Sequence, residues 1–139
     1  CAVAFPADGI GEALAARLGD SKALSGRRRI EAYGELRGAV RHAFGAASAA
    51  EVDALNPLRA TMLAMARAVS RLGVARPYVV VDGPHFPSGL PHPGEAVVKG
   101  DTKIPEIMAA SILAKVFRDR LVARLSGRPR AYGAGGHGG

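Results

Sequence analysis

Two short β-branched apolar runs, Tyr78–Val81 and Ala96–Val98, bracket a proline- and glycine-rich loop at residues 83–94, and a long amphipathic segment follows them. Such runs read as buried strands. Strand, loop, strand and helix in that order point to a sheet flanked by helices, an α/β or α+β arrangement rather than a bundle. Each run leads to an aspartate: Asp82 directly after Val81, and Asp101 after Lys99-Gly100. Burying an unpaired carboxylate is costly, so an acid at a strand end is expected to cap a backbone group or to hold a cation. The helix after Asp101 is expected over Lys103–Leu125, with Leu113, Phe117, Leu121 and Leu125 stepping by four along one face. Ile104, Met108 and Ile112 lie beside that stripe. Pro105 suits only a first turn, which places the helix start near Asp101 or Thr102. Ser111, Lys115 and Arg118 share a polar stripe at i, i+4 and i+7.

Upstream, Ala2–Phe5 reads as a strand closed by Pro6 and a turn at Asp8-Gly9, and Glu12–Leu18 as a short helix. A cationic helix is expected from Ser25, its cap, to Arg41. Leu24, Ile30, Tyr33, Leu36 and Val40 form its apolar stripe, Arg27, Arg28, Arg29, Arg37 and Arg41 its charge, and Gly34 and Gly38 weaken it. Residues 42–48 can form a second strand. Ser48 with Glu51 makes a capping box for a helix from Ala49. Pro57 divides that helix from a longer one over Leu58–Leu72, which Gly73 ends.

A length of 139 residues with 48% hydrophobic content suits one domain, residues 1–139, with its own core. Nineteen Lys and Arg against twelve Asp and Glu give a net charge of +7, which favours a polyanionic partner through counterion release. Compositional bias and solubility are the alternative source of that surplus. Cys1 is the sole cysteine, so no internal disulfide can form and a reducing, cytoplasmic setting is expected. No stretch approaches the ~18 consecutive apolar residues of a membrane span, and the first residues lack a secretory leader. The chain opens without an initiator methionine inside a strand and stops among glycines, so missing residues are expected at both ends.

Two strand-end carboxylates in a basic protein suggest metal-assisted hydrolysis of a phosphodiester. That chemistry needs acids that bridge cations ~3.5–4 Å apart, and oxygen ligands suit Mg²⁺ or Mn²⁺. Two acids are too few to hold two metals, so further ligands are expected elsewhere. The competing interpretations are structural: Asp82-Gly83 begins a turn, and Asp101 caps the following helix. His85 and His92 flank the proline-rich loop as a weak zinc pair, and no Ser/His/Asp or Cys/His arrangement supports covalent catalysis.

The blocks Val97-Val98-Lys99-Gly100-Asp101-Thr102-Lys103, Ile107, Ala109–Val116 and Arg118-Asp119 closely resemble ribonuclease HII, as does Val80-Val81-Asp82-Gly83 before them. Asp20–Ser25, Leu55-Asn56, Ala60–Met65 and Tyr132-Gly133 with His137 agree in the same order. The resemblance implies a ribonuclease H-like mixed sheet flanked by helices. It implies a hydrolase, an endonuclease that cuts the RNA strand of RNA–DNA hybrids and incises at ribonucleotides embedded in duplex DNA. Asp82 and Asp101 match two of the family's four metal-binding carboxylates and so are the catalytic candidates, while Ser21 and Lys22 match a substrate-facing loop. Lys115 and Arg118, placed by the helical stripe, are candidates for phosphate contact, and Lys99 and Ser111 join them as nucleic-acid-binding candidates. Telling RNA from DNA requires contact with the 2′-hydroxyl.

The chain also departs from the family pattern. The family's first strand carries an Asp-Glu pair and a Gly-Arg-Gly turn, and this chain begins just after that point. Gly138 stands where a lysine is expected, the chain stops before the tyrosine that senses the ribonucleotide junction, and the loop from Asp82 to Asp101 is one residue longer than expected. An incomplete, inactive and monomeric fragment without its first strand and C-terminal helices is the expectation. The alternatives are a non-catalytic basic nucleic-acid-binding module and a small-ligand or phosphate-binding α/β domain.

Overall fold

The computed structural model describes residues 1–19 and 26–127, which alternate strands and helices in an α/β fold. β1 (Ala2–Ala4) pairs antiparallel with β2 (Arg41–Ala43), Val3 facing His42. β3 (Val79–Asp82) pairs in parallel with β4 (Gly94–Val97), Asp82 facing Val97. Five α-helices surround them among the described residues: α1 (Glu12–Gly19), α2 (Gly26–Ala39), α3 (Ala49–Leu55), α4 (Pro57–Leu72) and α5 (Pro105–Ser126). A parallel pair needs a connection that carries the chain back along the sheet, and the loop at residues 83–93 does this without a helix.

Local chemistry explains most boundaries. The Ser48 hydroxyl accepts from the Glu51 amide at 3.1 Å while Glu51 accepts from the Ser48 amide at 2.9 Å, the full capping box expected of that sequence. Asn56 adopts the left-handed region (φ 74°), caps α4 through the Arg59 amide, and leaves Pro57 at the first helical position. Gly73 closes α4 with φ 69°. Ser25, the expected cap of α2, lies outside the described residues. The strand expected within residues 42–48 is short, because the carbonyls that follow β2 are taken by arginines of α4 rather than by a partner strand. Arg67 donates to Ala46 O at 2.8 Å, Arg71 to Phe44 O at 2.9 Å, and Arg67 also forks onto both oxygens of Glu51.

The main core lies where α1, α2 and α5 meet. Leu14 and Leu18 of α1, Tyr33 and Leu36 of α2, and Ile112, Leu113 and Val116 of α5 are buried together. The predicted α5 stripe is only half right in its consequences. Leu113 is fully buried, whereas Phe117, Leu121 and Leu125 are exposed, Leu125 by 79%. A step of four residues turns the helix by about 400°, so such a row drifts ~40° per step and leaves the core within two turns.

β1 packs against both α4 and α5, and α5 also meets β3. Between them lies a cavity of about 500 Å³ lined by every residue from Cys1 to Phe5 and from Tyr78 to Asp82. Successive side chains of a strand point to opposite faces, so a cavity over one face would touch alternate residues. Contact with consecutive residues, and with none of β2 or β4, means that the cavity runs along the outer edges of β1 and β3. Met65, Val69 and Leu72 of α4 wall it on one side, and Ile107, Ala110, Ser111 and Ala114 of α5 on the other. The sheet is therefore in two halves, separated by a slot with apolar walls.

Candidate active site

Parallel pairing carries the ends of β3 and β4 to the same side of the molecule. Asp82 closes β3 opposite Val97, and the Gly83 amide donates to Val97 O at 2.9 Å. Beyond β4, Lys99 turns in the left-handed region (φ 57°, ψ 36°) and starts a 3-10 turn over Gly100–Thr102. The turn aims the buried Gly100 amide at Asp82, to whose Oδ1 it donates at 2.9 Å. Asp101 follows Gly100 directly in the chain, so this one hydrogen bond sets the backbone before Asp101 against the Asp82 side chain.

Both structural alternatives are tested by this geometry. Asp101 does not cap α5: the cap position is Ile104, extended and without a side-chain cap bond, and Pro105 is itself the first helical residue. The helix start expected near Asp101 or Thr102 is thus displaced to Pro105, because the 3-10 turn takes residues 100–102. Asp82 does satisfy a backbone donor, but one eighteen residues away rather than one in its own turn. Its side chain is exposed, and among the described residues its Oδ2 takes no hydrogen bond.

Hard carboxylate oxygens at a solvent-facing strand end fit a divalent cation in kind. They fall short in number: among the described residues no group of three or more His, Cys, Asp and Glu side chains gathers around a common point. That also leaves His85 and His92 without the further ligands a zinc site needs.

The other expected contacts divide between the turn after β4 and α5. Ser111 lines the cavity wall with Asp82, Lys99 is exposed beside Asp101, and Lys115 and Arg118 continue along α5. Ser21 and Lys22 lie outside the described residues. Glu106 also lines the cavity; in sequence an acid in a first helical turn reads as an ordinary complement to the helix dipole, which hides it. Gly100 was equally illegible, because nothing local says that its amide is wanted elsewhere. A Cβ there would stand 2.6 Å from Ile107 Cδ1 and 3.5 Å from Asp82 Oδ1.

Part of the positive charge serves the fold. Arg17 pairs with Glu35 and Arg27 with Glu31, Arg41 donates to Gly73 O, and Arg37 and Arg120 lie 5.4 and 4.7 Å from the Tyr33 ring centre. No helix among the described residues is long and apolar enough to cross a membrane.

The sequence model of the Ribonuclease HII family matches residues 1–139. A curated Ribonuclease HII of Maricaulis maris (strain MCS10) is 52% identical over 120 residues, covering 86% of this chain and 55% of that protein. The chain therefore spans about half the length of the curated relative it matches.

Proposed function

The chain belongs to the ribonuclease HII family and has its ribonuclease H-like α/β fold, and from that premise we propose a single catalytic domain of a metal-dependent endoribonuclease. Its substrates are the RNA strand of RNA–DNA hybrids and ribonucleotides embedded in duplex DNA, met in the cytoplasm by a monomer. The observation that supports this is the hydrogen bond from the Gly100 amide to Asp82 Oδ1, which sets the residue before Asp101 against the Asp82 carboxylate. Those two side chains would hold Mg²⁺ or Mn²⁺, which when bound neutralises phosphate charge and supplies a hydroxide-like nucleophile near neutral pH. Ser111, Lys115 and Arg118 on α5 and Lys99 in the turn before it receive backbone phosphates, with Ser21 and Lys22 on the substrate-facing loop, and a contact to the 2′-hydroxyl selects the ribonucleotide.

The remaining carboxylates come from a strand seated in the cavity between β1 and β3. Two strand edges that no strand pairs among the described residues, apolar walls and small residues at Ala110 and Ala114 support this, since an extended segment there could pair with the backbone of both edges. A strand bearing an Asp-Glu pair would leave the slot beside Asp82.

The test is incision of a duplex carrying one ribonucleotide, with Mn²⁺, by the 139-residue chain alone and by the chain supplied with an extended apolar segment bearing Asp-Glu. The chain alone is expected to be nearly inactive, and the segment to raise the rate by at least about 100-fold. Asp82→Asn should then remove that gain, a larger effect than the ~10–100-fold typical of residues behind the ligands. Full activity with Asn at position 82 would overturn the metal assignment.

The shortage of acids favours one other reading, a basic module that binds nucleic acid without cutting it. That module would bind duplexes with steep salt dependence and gain no activity from the added strand.

A further inference from the structure

The turn that joins β4 to α5 is held in an uncommon shape at several points. Lys99 occupies the left-handed region, which costs an L-residue most when its side chain is β-branched and least when it is Gly or Asn. Its carbonyl accepts from the Thr102 amide at 3.0 Å and from the Thr102 hydroxyl at 2.7 Å. The Gly100 carbonyl in turn accepts from the amides of Lys103 and Ile104, at 3.0 and 2.9 Å. The outcome is a Gly100 N–H aimed at Asp82 Oδ1, with Ile107 directly behind it. The turn packs Gly100 against the buried Ile107 of α5, and it also sets the direction of an amide and the placing of the next residue, Asp101.

We propose that Lys99 and Thr102 are positioning residues acting through the backbone: the left-handed turn at Lys99, locked by the Thr102 hydroxyl, sets the Gly100 amide that orients the Asp82 carboxylate toward Asp101. This deepens the metal-site reading above and rests on it. Lys99 then has a role separable from its charge. In a neutral variant that keeps the left-handed turn, the carboxylate pair is intact; in a neutral variant that resists the turn, the pair is misaligned. Thr102 acts by the same route. Its hydroxyl faces the Lys99 carbonyl, so loss of that group loosens the turn while the amide bond remains.

The test compares Lys99→Asn with Lys99→Val in the 139-residue chain. Both remove the same charge and differ in their tolerance of positive φ. Mg²⁺ affinity is measured by calorimetric titration and Gly100 amide exchange by NMR, with far-UV circular dichroism confirming the fold of each. Lys99→Asn should hold Mg²⁺ within about twofold of the parent, while Lys99→Val should bind at least about tenfold more weakly and exchange its Gly100 amide about tenfold faster. Thr102→Val, which keeps size and loses the donor, should fall between them and serves if Lys99→Val fails to fold. Gly100→Ala should weaken Mg²⁺ binding, and adding Ile107→Val, which removes the Cδ1 atom in the way, should restore it. Equal Mg²⁺ affinity and equal amide exchange in the Asn and Val variants would overturn the proposal. If the parent binds no Mg²⁺, the metal-site reading falls, and amide exchange at Gly100 still decides whether Lys99 and Thr102 set the turn.

Discussion

Glu51 does two things at the head of α3: it completes the capping box with Ser48 and receives the forked guanidinium of Arg67. The Arg67 hydrogen bonds, and then those from Ser48, lower its carboxyl from the ordinary 4.5 to about 2. A carboxyl whose folded value is depressed contributes stability that is complete above its unfolded value and is lost as the pH falls through the folded one. The parent should therefore lose thermal stability between pH 4.5 and about 2 through this pair. Glu51→Gln should be less stable at pH 7 and lose less over the acid range, which melting curves at pH 7 and pH 3 would show. Gly45 makes a different point at the same scale. An added Cβ would stand 2.1 Å from Ala64 O and 2.6 Å from Ala68 N, both backbone atoms of α4 that cannot swing aside. Gly45→Ala should cost about 1–3 kcal/mol by forcing the chain after β2 away from α4, read as a lower urea midpoint.

Among the elements, α5 ties the two halves of the molecule together. One face enters the core with α1 and α2, another walls the cavity, and its start is attached to the turn that holds Asp101. Phe117 leaves the core but stacks on Phe44, with ring centres 4.1 Å apart, so the chain just after β2 is pinned to the helix beyond the buried stretch. The energetic gradient along the helix is sharp. Leu113→Ala should cost ~2–5 kcal/mol, since it empties a fully buried site. Leu125→Ala should change stability by less than about 0.5 kcal/mol, because that side chain is 79% exposed. Chemical denaturation of the pair would decide it, and equal losses would show that the end of α5 is covered in solution.

At the scale of the whole molecule, two half-sheets face each other across a slot whose walls are helices and whose end lies beside Asp82. Long stretches of this were legible in the linear chain. Ser48 with Glu51, Asn56-Pro57 and Gly73 mark their helix ends by chemistry that acts over three or four residues, and the apolar runs before Asp82 and Asp101 read as strands for the same local reason. The motifs around Asp82 and Asp101 also point to the family without any coordinates. Other features were hidden because their causes lie far apart in sequence. The bond from Gly100 to Asp82 spans eighteen residues, the arginines of α4 reach carbonyls more than twenty positions upstream, and the slot exists only because β1 and β3 come to rest side by side without pairing. Periodicity likewise found the α5 stripe but not the point at which it leaves the core. Sequence alone determined the residue types that can bear the chemistry and the helix ends marked by Ser48, Asn56-Pro57 and Gly73, since residue type and short-range hydrogen bonding settle those. Only the tertiary structure decided that the Gly100 amide meets Asp82, which cations serve the fold and where a slot lies between the half-sheets, because each depends on groups that the chain must bring together through space.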